Sequence, residues 1–392
     1  MRAVFIHDHN FVYDKDSNLY YDGSGGAFDE NLWKRYLGLF DSLMVIGRKI
    51  DRLPNKMVVS STDNVCFQLI QGAGGVRNII KSKKRIKQEL KNAIEAVDFA
   101  IIRLPSTLGR WAFDICVSLK KNYVLEIVGD PFEAYWYHGS WLGKFVAPIE
   151  LLRLKRIVCR AQNVIYVTQD KLQRRYPCFG NTCAISNVRL EEVVAVENVE
   201  IFYRNEASIF KIGLIGSFHV KYKGHVEALK ALKILKEKGY TSVKLHLVGT
   251  GDTDWVRELI KEYGLNDFVK IVGSVRAGKD GIFPFLDDMH LYVHPSKTEG
   301  LPRVILEAMS RGKVSLGSDV GGTSELLGAK YIHQPGDWQK LAKQIEEVIL
   351  ASQEQKISMA LNNLKVAQGY VESILQQRRM EFIGKIIRDE SN

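Results

Sequence analysis

Two carboxylates, Glu299 and Glu307, bracket one chain reversal in the run PSKTEGLPRVILEAMSRG, residues 295–312. The apolar residues Leu291, Tyr292 and Val293 just before it read as a buried parallel strand. A helix follows. Pro302 suits its first turn, where a missing N–H costs nothing, and Val304, Ile305, Ala308 and Met309 form an apolar stripe at helical spacing. Gly312 is the expected stop. Glu299 therefore sits at a strand end and Glu307 about a turn inside the next helix. Between them, free backbone N–H groups at the helix start suit an anion such as phosphate. A carboxylate can also accept hydrogen bonds from two neighbouring sugar hydroxyls at once, each contributing about 1.5–3 kcal/mol.

The elements that must hold this turn alternate regularly. Short apolar runs fall at Val4–Ile6, Leu43–Ile46, Phe99–Ile102, Tyr123–Val128 and Val164–Val167, with longer helix-period segments between them. The pattern restarts at Phe210–Ser217 and continues through Val243–Val248, Val269–Val272, Leu291–Val293 and Val314–Gly317. This is βαβ punctuation, an α/β chain with mostly parallel sheets. Residues 1–200 make a first doubly wound domain and 201–370 a second; Ile357–Ile387 is helical in pattern. Asp8–Tyr21 is a polar, aromatic stretch, followed by a glycine loop, 22–28, ahead of a first helix.

The chain has 392 residues and a formal net charge of +10, which implies an anionic partner. It shows no apolar run long enough to span a bilayer, and its five scattered cysteines fit a reduced, cytoplasmic protein. A nicotinamide-type dinucleotide site would need a third glycine after Gly249 and Gly251, and none is there. The basic clusters lack the interleaved aromatic residues of a stacking platform, so nucleic acid is not expected. A glycosidase would need its two carboxylates on opposite faces of a bond, whereas this pair is fixed to one turn.

The stretch around Glu299 and Glu307, continued by Val320-Gly321-Gly322-Thr323-Ser324-Glu325, resembles the donor-binding signature of the family 4 retaining glycosyltransferases. The likeness is sharp over Gly213–Leu327 and looser before residue 180. It implies the GT-B fold: two Rossmann-like domains facing each other across a cleft, with a C-terminal helix, 371–392, returning to the first. It implies transfer of a hexose-type sugar from a UDP- or GDP-sugar to a lipid-linked saccharide acceptor in bacterial surface polysaccharide assembly. By the same resemblance Glu307 holds the ribose, while Glu299 meets the sugar near the reacting carbon. Lys223 neutralises the diphosphate, which needs a cation to lower the cost of its developing charge. Family members often carry an arginine where this chain has Ser217, and Lys221 is the expected substitute. Gly25 and Gly26 match the first domain's phosphate-facing loop. Gly249, Gly251 and Val275 match nucleoside-side loops, and Gly300, Leu301 and Arg303 offer backbone N–H groups to the sugar. The usual first-domain histidine is missing; Asp130 is expected in its place, with His138 as the rival. No metal and no other cofactor is expected.

Attachment to the inner face of the cytoplasmic membrane is expected to be peripheral. Two basic clusters carry that expectation. One is Lys81, Lys83, Lys84, Arg85 and Lys87. The other interleaves Leu151, Leu152, Leu154, Ile157 and Val158 with Arg153, Lys155, Arg156 and Arg160, a mix that suits an interfacial helix.

Overall fold

The structure, a computed structural model, describes residues 1–23, 28–51, 58–72, 76–137, 141–205, 207–276, 278–279 and 281–389; for 76–80 it describes the backbone alone. The first half contains β1 (Arg2–Asp14), β2 (Leu19–Asp22), α1 (Glu30–Leu37), β3 (Ser42–Lys49), β4 (Val65–Ile70), α2 (Val76–Glu95), β5 (Phe99–Leu104) and α3 (Thr107–Leu119). It continues through β6 (Asn122–Ile127), α4 (Pro131–Trp136), α5 (Trp141–Arg160), β7 (Asn163–Tyr166), α6 (Lys171–Arg175) and β8 (Asn181–Ala184). Its strands pair in the order β4-β3-β1-β5-β6-β7-β8, parallel throughout, with β2 added antiparallel to β1. The polar, aromatic stretch Asp8–Tyr21 is thus a continuation of β1 into a hairpin. The polar side chains hid it, because here the strand is half-buried on both faces rather than alternating.

After α7 (Val196–Arg204), the second half runs β9 (Phe210–Ile215), α8 (His225–Glu237), β10 (Val243–Val248), α9 (Asp254–Glu262), β11 (Val269–Gly273), α10 (Ile282–Asp287), β12 (Leu291–His294) and α11 (Arg303–Ser310). Then come β13 (Val314–Ser318), α12 (Thr323–Leu326), β14 (Ile332–His333), α13 (Trp338–Leu350), α14 (Gln353–Gln368) and α15 (Glu372–Asp389). The sheet order is β11-β10-β9-β12-β13-β14. Strand order reverses between β9 and β12, and ligands of such sheets collect in the crevice at that reversal.

One buried core surrounds the first sheet and runs on into Ile215, Tyr292 and Ile305 of the second half; another lies within the second half, and α7 joins it through Val199 and Tyr203. The closing helix α15 returns to the first half. Leu375, Ile383 and Ile386 enter the first core, and Glu372 Oε2 accepts from Arg35 of α1 at 2.7 Å. This is the GT-B arrangement, two parallel-sheet domains across a cleft. Among the described residues no helix is long and apolar enough to cross a membrane.

Candidate active site

The turn from β12 to α11 sits at the reversal of the second sheet. Strand alternation puts Tyr292 and His294 on one face. His294 Nδ1 lies 3.2 Å from the Tyr292 hydroxyl, and His294 Nε2 lies 2.8 Å from Glu299 Oε1. Lys223 Nζ donates to the same oxygen at 2.7 Å. Burial alone would raise the Glu299 pKa. The Lys223 ammonium and then His294 outweigh it and hold the carboxyl well below the usual range, so it is an anion. Glu299 Oε2 takes no hydrogen bond from the described residues.

Lys223 reaches Glu299 because the chain after β9 is drawn against the exit of β12. Gly224 has φ +82°, and a Cβ there would lie 2.2 Å from Pro295 O, so only glycine fits. Lys297 N and Ser296 Oγ both donate to Tyr222 O, at 2.7 and 3.1 Å. Lys223 was expected at a diphosphate. Here it is the counter-ion of Glu299.

Glu307 lies on α11 with the opposite electrostatics. Burial pushes its carboxyl up to about 7, with Arg303 opposing, and Oε2 is buried without a hydrogen-bond partner among the described residues. It lines a 680 Å³ cavity with Arg35, Arg189, Phe283, Arg303 and Glu372. A second cavity, of 270 Å³, adjoins through the same three arginines and carries His7, Arg103 and Val128 on one wall, Glu299 and Gly300 on the other. Together they form the cleft between the domains. Arg35, Arg103 and Arg189 are each ion-paired, to Glu372, Glu126 and Asp29. Arg303 is exposed and makes no ion pair with the described residues, so its charge is available.

The remaining expected donor-side residues gather at the same carboxyl edge, but unequally. Ser217 Oγ donates to Thr250 O at 3.2 Å and accepts from His219 N. Gly249 and Gly251 pack their loop onto Gly216 and His219 too closely for a Cβ, and Val275 is half-buried against the core. Lys221 Nζ lies 5.5 Å from the Trp255 ring centroid. Leu301 is buried, and Gly300 meets the other domain: a Cβ there would lie 2.4 Å from Val128 O. Gly25, Gly26 and His138 lie outside the described residues. Among the described residues no group of three His, Cys, Asp or Glu side chains could hold a metal ion.

Asp130 is at the end of β6, facing the cleft, but its carboxylate is occupied. It caps α4 through Phe132 N at 2.8 Å, accepts from Tyr176 Oη at 2.5 Å and pairs with Arg175 at 2.5 Å. Its neighbour Glu133 was missed. Burial, then Asp130, pushes the Glu133 carboxyl up to about 7, and its Oε2 accepts from Thr298 Oγ1 across the cleft at 3.4 Å. Glu325 was quoted only as sequence context. It reaches the first domain, accepting from the backbone N–H groups of Gln169, Asp170 and Lys171 at 2.5, 3.1 and 2.7 Å, while Gly322 N donates to Gly300 O at 2.6 Å. His294 was missed as well, although its place two residues after Tyr292 on a strand was a readable signal.

Comparison with known proteins agrees with this fold. The family model "Glycosyl transferases group 1" matches residues 209–350. The chain is 35% identical to "Protein CapJ" of Staphylococcus aureus over 99% of this chain and 97% of that one. It is 26% identical to "Capsular polysaccharide biosynthesis glycosyltransferase CapH" of the same organism, over 33% of this chain and 36% of that one. The fold superposes on Anabaena HepE, solved in complex with UDP and glucose, with TM-score 0.68 and 20% identity, over 98% of this chain and 100% of that one.

Proposed function

The chain belongs to the GT-B glycosyltransferases, and from that premise we propose that it moves a hexose-type sugar, with retained anomeric configuration, from a nucleoside-diphosphate sugar to a lipid-linked saccharide in capsular polysaccharide assembly. The observation that carries the donor half of this reading is Glu307. A buried carboxylate oxygen without a partner, beside a cavity of nucleotide size, is costly unless a ligand supplies the missing donors. Two vicinal ribose hydroxyls supply them. HepE holds UDP, which favours uridine as the base. CapH, by its name a capsular polysaccharide enzyme, favours that pathway class.

In this reading the diphosphate lies across the β9–β12 reversal. Lys223 has three N–H donors, so it can keep Glu299 while another N–H meets a phosphate oxygen. Arg303 adds a second cation. The free Oε2 of Glu299 faces the sugar and stabilises positive charge developing at the anomeric carbon. The acceptor hydroxyl forms its bond to that carbon on the face the phosphate leaves. The carbon–oxygen bond to phosphate breaks, and the hydroxyl proton passes to the departing phosphate oxygen. The acceptor is reached at the inner face of the cytoplasmic membrane. Charge neutralisation by Lys223, Arg303 and the α11 start leaves no step needing a metal, so activity in EDTA is expected to equal that in magnesium. Activity lost in EDTA and restored by magnesium or manganese overturns this.

Calorimetry of UDP, GDP and ADP with the full chain and with Glu307→Ala tests the donor site. Loss of two charge-assisted hydrogen bonds predicts affinity weakened about a hundredfold. Unchanged affinity removes the ribose role. The anomeric proton coupling of the product distinguishes retention from inversion.

A further inference from the structure

The structure assigns a membrane-docking face to α5: its outward side is apolar and aromatic, flanked by basic residues, and we infer that it adsorbs to an anionic bilayer. Trp141 and Phe145 are each 69% exposed, with Leu142 at 56%, Leu152 at 55% and Ile149 at 48%. With Pro148, also exposed, they fall in an arc of about 120° at helical spacing. The opposite side, Gly143, Ala147, Leu154 and Val158, is buried in the protein. The helix therefore carries two apolar faces, and its own fold covers only one. Large contiguous apolar patches on soluble chains mark interaction sites.

This corrects the interfacial set expected from sequence. Leu154 and Val158 are core, Leu151 and Ile157 pack partly against it, and of that set Leu152 alone faces out. The exposed apolar residues sit one to two turns earlier. Tyr135, Trp136 and Tyr137 of the adjoining segment, each about two-fifths exposed, extend the patch, and Lys144 Nζ lies 5.8 Å from the Trp136 ring centroid.

Charge selects a bilayer over an uncharged apolar partner. Lys144, Lys155 and Arg156 on α5 form no ion pair with described residues. Neither do the exposed Lys81, Lys83 and Lys84 of α2. α2 packs on α3, and α3 meets α5 through Arg110–Glu150 at 2.6 Å and Asp114–Arg160 at 3.9 Å, so the three helices form one layer. Aromatic residues at the headgroup level with lysine and arginine beside them are what an interfacial helix requires. On its inner side α5 contributes Glu150 and Leu154 to a 240 Å³ cavity with Asp8, Ser106 and Tyr135, at the carboxyl edge of the first sheet. One helix thus links the bilayer to the acceptor side of the cleft. That purpose rests on the lipid-linked acceptor proposed above; adsorption itself is measured without any sugar.

Co-sedimentation of the full chain with phosphatidylcholine vesicles, with and without phosphatidylglycerol, at low and high salt, tests the inference. Binding is expected with the anionic vesicles and is expected to weaken with salt. Trp141→Ser with Phe145→Ser is expected to reduce it at least about tenfold, while UDP affinity stays unchanged, which also reports an intact fold. Lys81→Gln with Lys83→Gln and Lys84→Gln is expected to give a smaller, salt-sensitive loss. Wild-type binding that the aromatic double variant leaves intact overturns the inference, as does no binding to anionic vesicles at low salt. A dimer in sedimentation velocity that the double variant dissolves overturns it in favour of a second copy covering the face. Failure of UDP to bind would instead count against the donor site alone.

Discussion

Two strand-to-helix turns face each other across the cleft, β12 to α11 and β6 to α4, and each carries a carboxylate. Glu299 in the second domain has both partners on one oxygen, Lys223 and His294, and its other oxygen takes no hydrogen bond from the described residues. Asp130 in the first domain divides its oxygens among a helix cap, Tyr176 and Arg175, all from its own domain. The same functional group at the same kind of position is presented in one turn and consumed in the other. What decides is how many partners the surrounding fold supplies. The first domain's titratable carboxyl is instead Glu133, a turn further on, kept near neutrality by burial and by Asp130 itself.

The comparison breaks most sharply at Glu299. Glu299→Gln keeps the shape but removes the anion, so kcat/KM is expected to fall by about 10²–10³, as when a preorganised charge is lost. UDP affinity should hold or tighten, since Lys223 is released. Steady-state kinetics beside calorimetry separates the two. A loss of UDP affinity with turnover kept would mean that Glu299 and Glu307 have exchanged roles.

A second pair of substitutions probes the backbones of the same turns. Gly300→Ala drives a Cβ to 2.4 Å from Val128 O, whereas a Cβ at Gly129 meets nothing within 4 Å. Gly300→Ala is expected to cost about 1–3 kcal/mol by overpacking and to lower activity, because the domains meet there. Gly129→Ala should stay within about 0.5 kcal/mol. Chemical denaturation of both variants checks this. Equal behaviour would mean that the domains do not close on Gly300.

The second domain's turn was legible because its chemistry is local. Strand, proline, helix stripe and both glutamates lie within one short run, and the crevice follows from strand order. The first domain's turn was not. Asp130 is occupied by Tyr176 and Arg175, some forty-five residues away in sequence, and no local pattern announces such pairs. The β1–β2 hairpin escaped because half-buried strands need not alternate. In α5 a helix-period reading could not say which of two apolar faces the core would take, and that depends on Leu154 and Val158 meeting the rest of the fold.

The last comparison has a definite sign on both sides of the cleft. Glu133 has its carboxyl raised from 4.5 to about 7 on folding. Between those values the folded chain holds a proton that the unfolded chain gives up. Wild-type stability therefore falls as pH rises through that window, and the penalty is full above about 7 and absent below 4.5. Glu133→Gln removes the titration. The variant should match the wild type at pH near 4 and exceed it by something on the order of 1 kcal/mol at pH near 8, the half-buried site retaining some solvent. Glu307, which titrates in the same range, is present in both proteins and cancels from the difference. Glu299→Gln should do the reverse. Its carboxyl is depressed on folding, so its contribution is present above 4.5 and lost as pH falls further, and the variant is the weaker protein at neutral pH. Denaturant melts of the three proteins across pH 4–8 give both differences in one series. A Glu133→Gln difference that is flat with pH, or that shares the sign of Glu299→Gln, would show that the two turns are not electrostatic opposites.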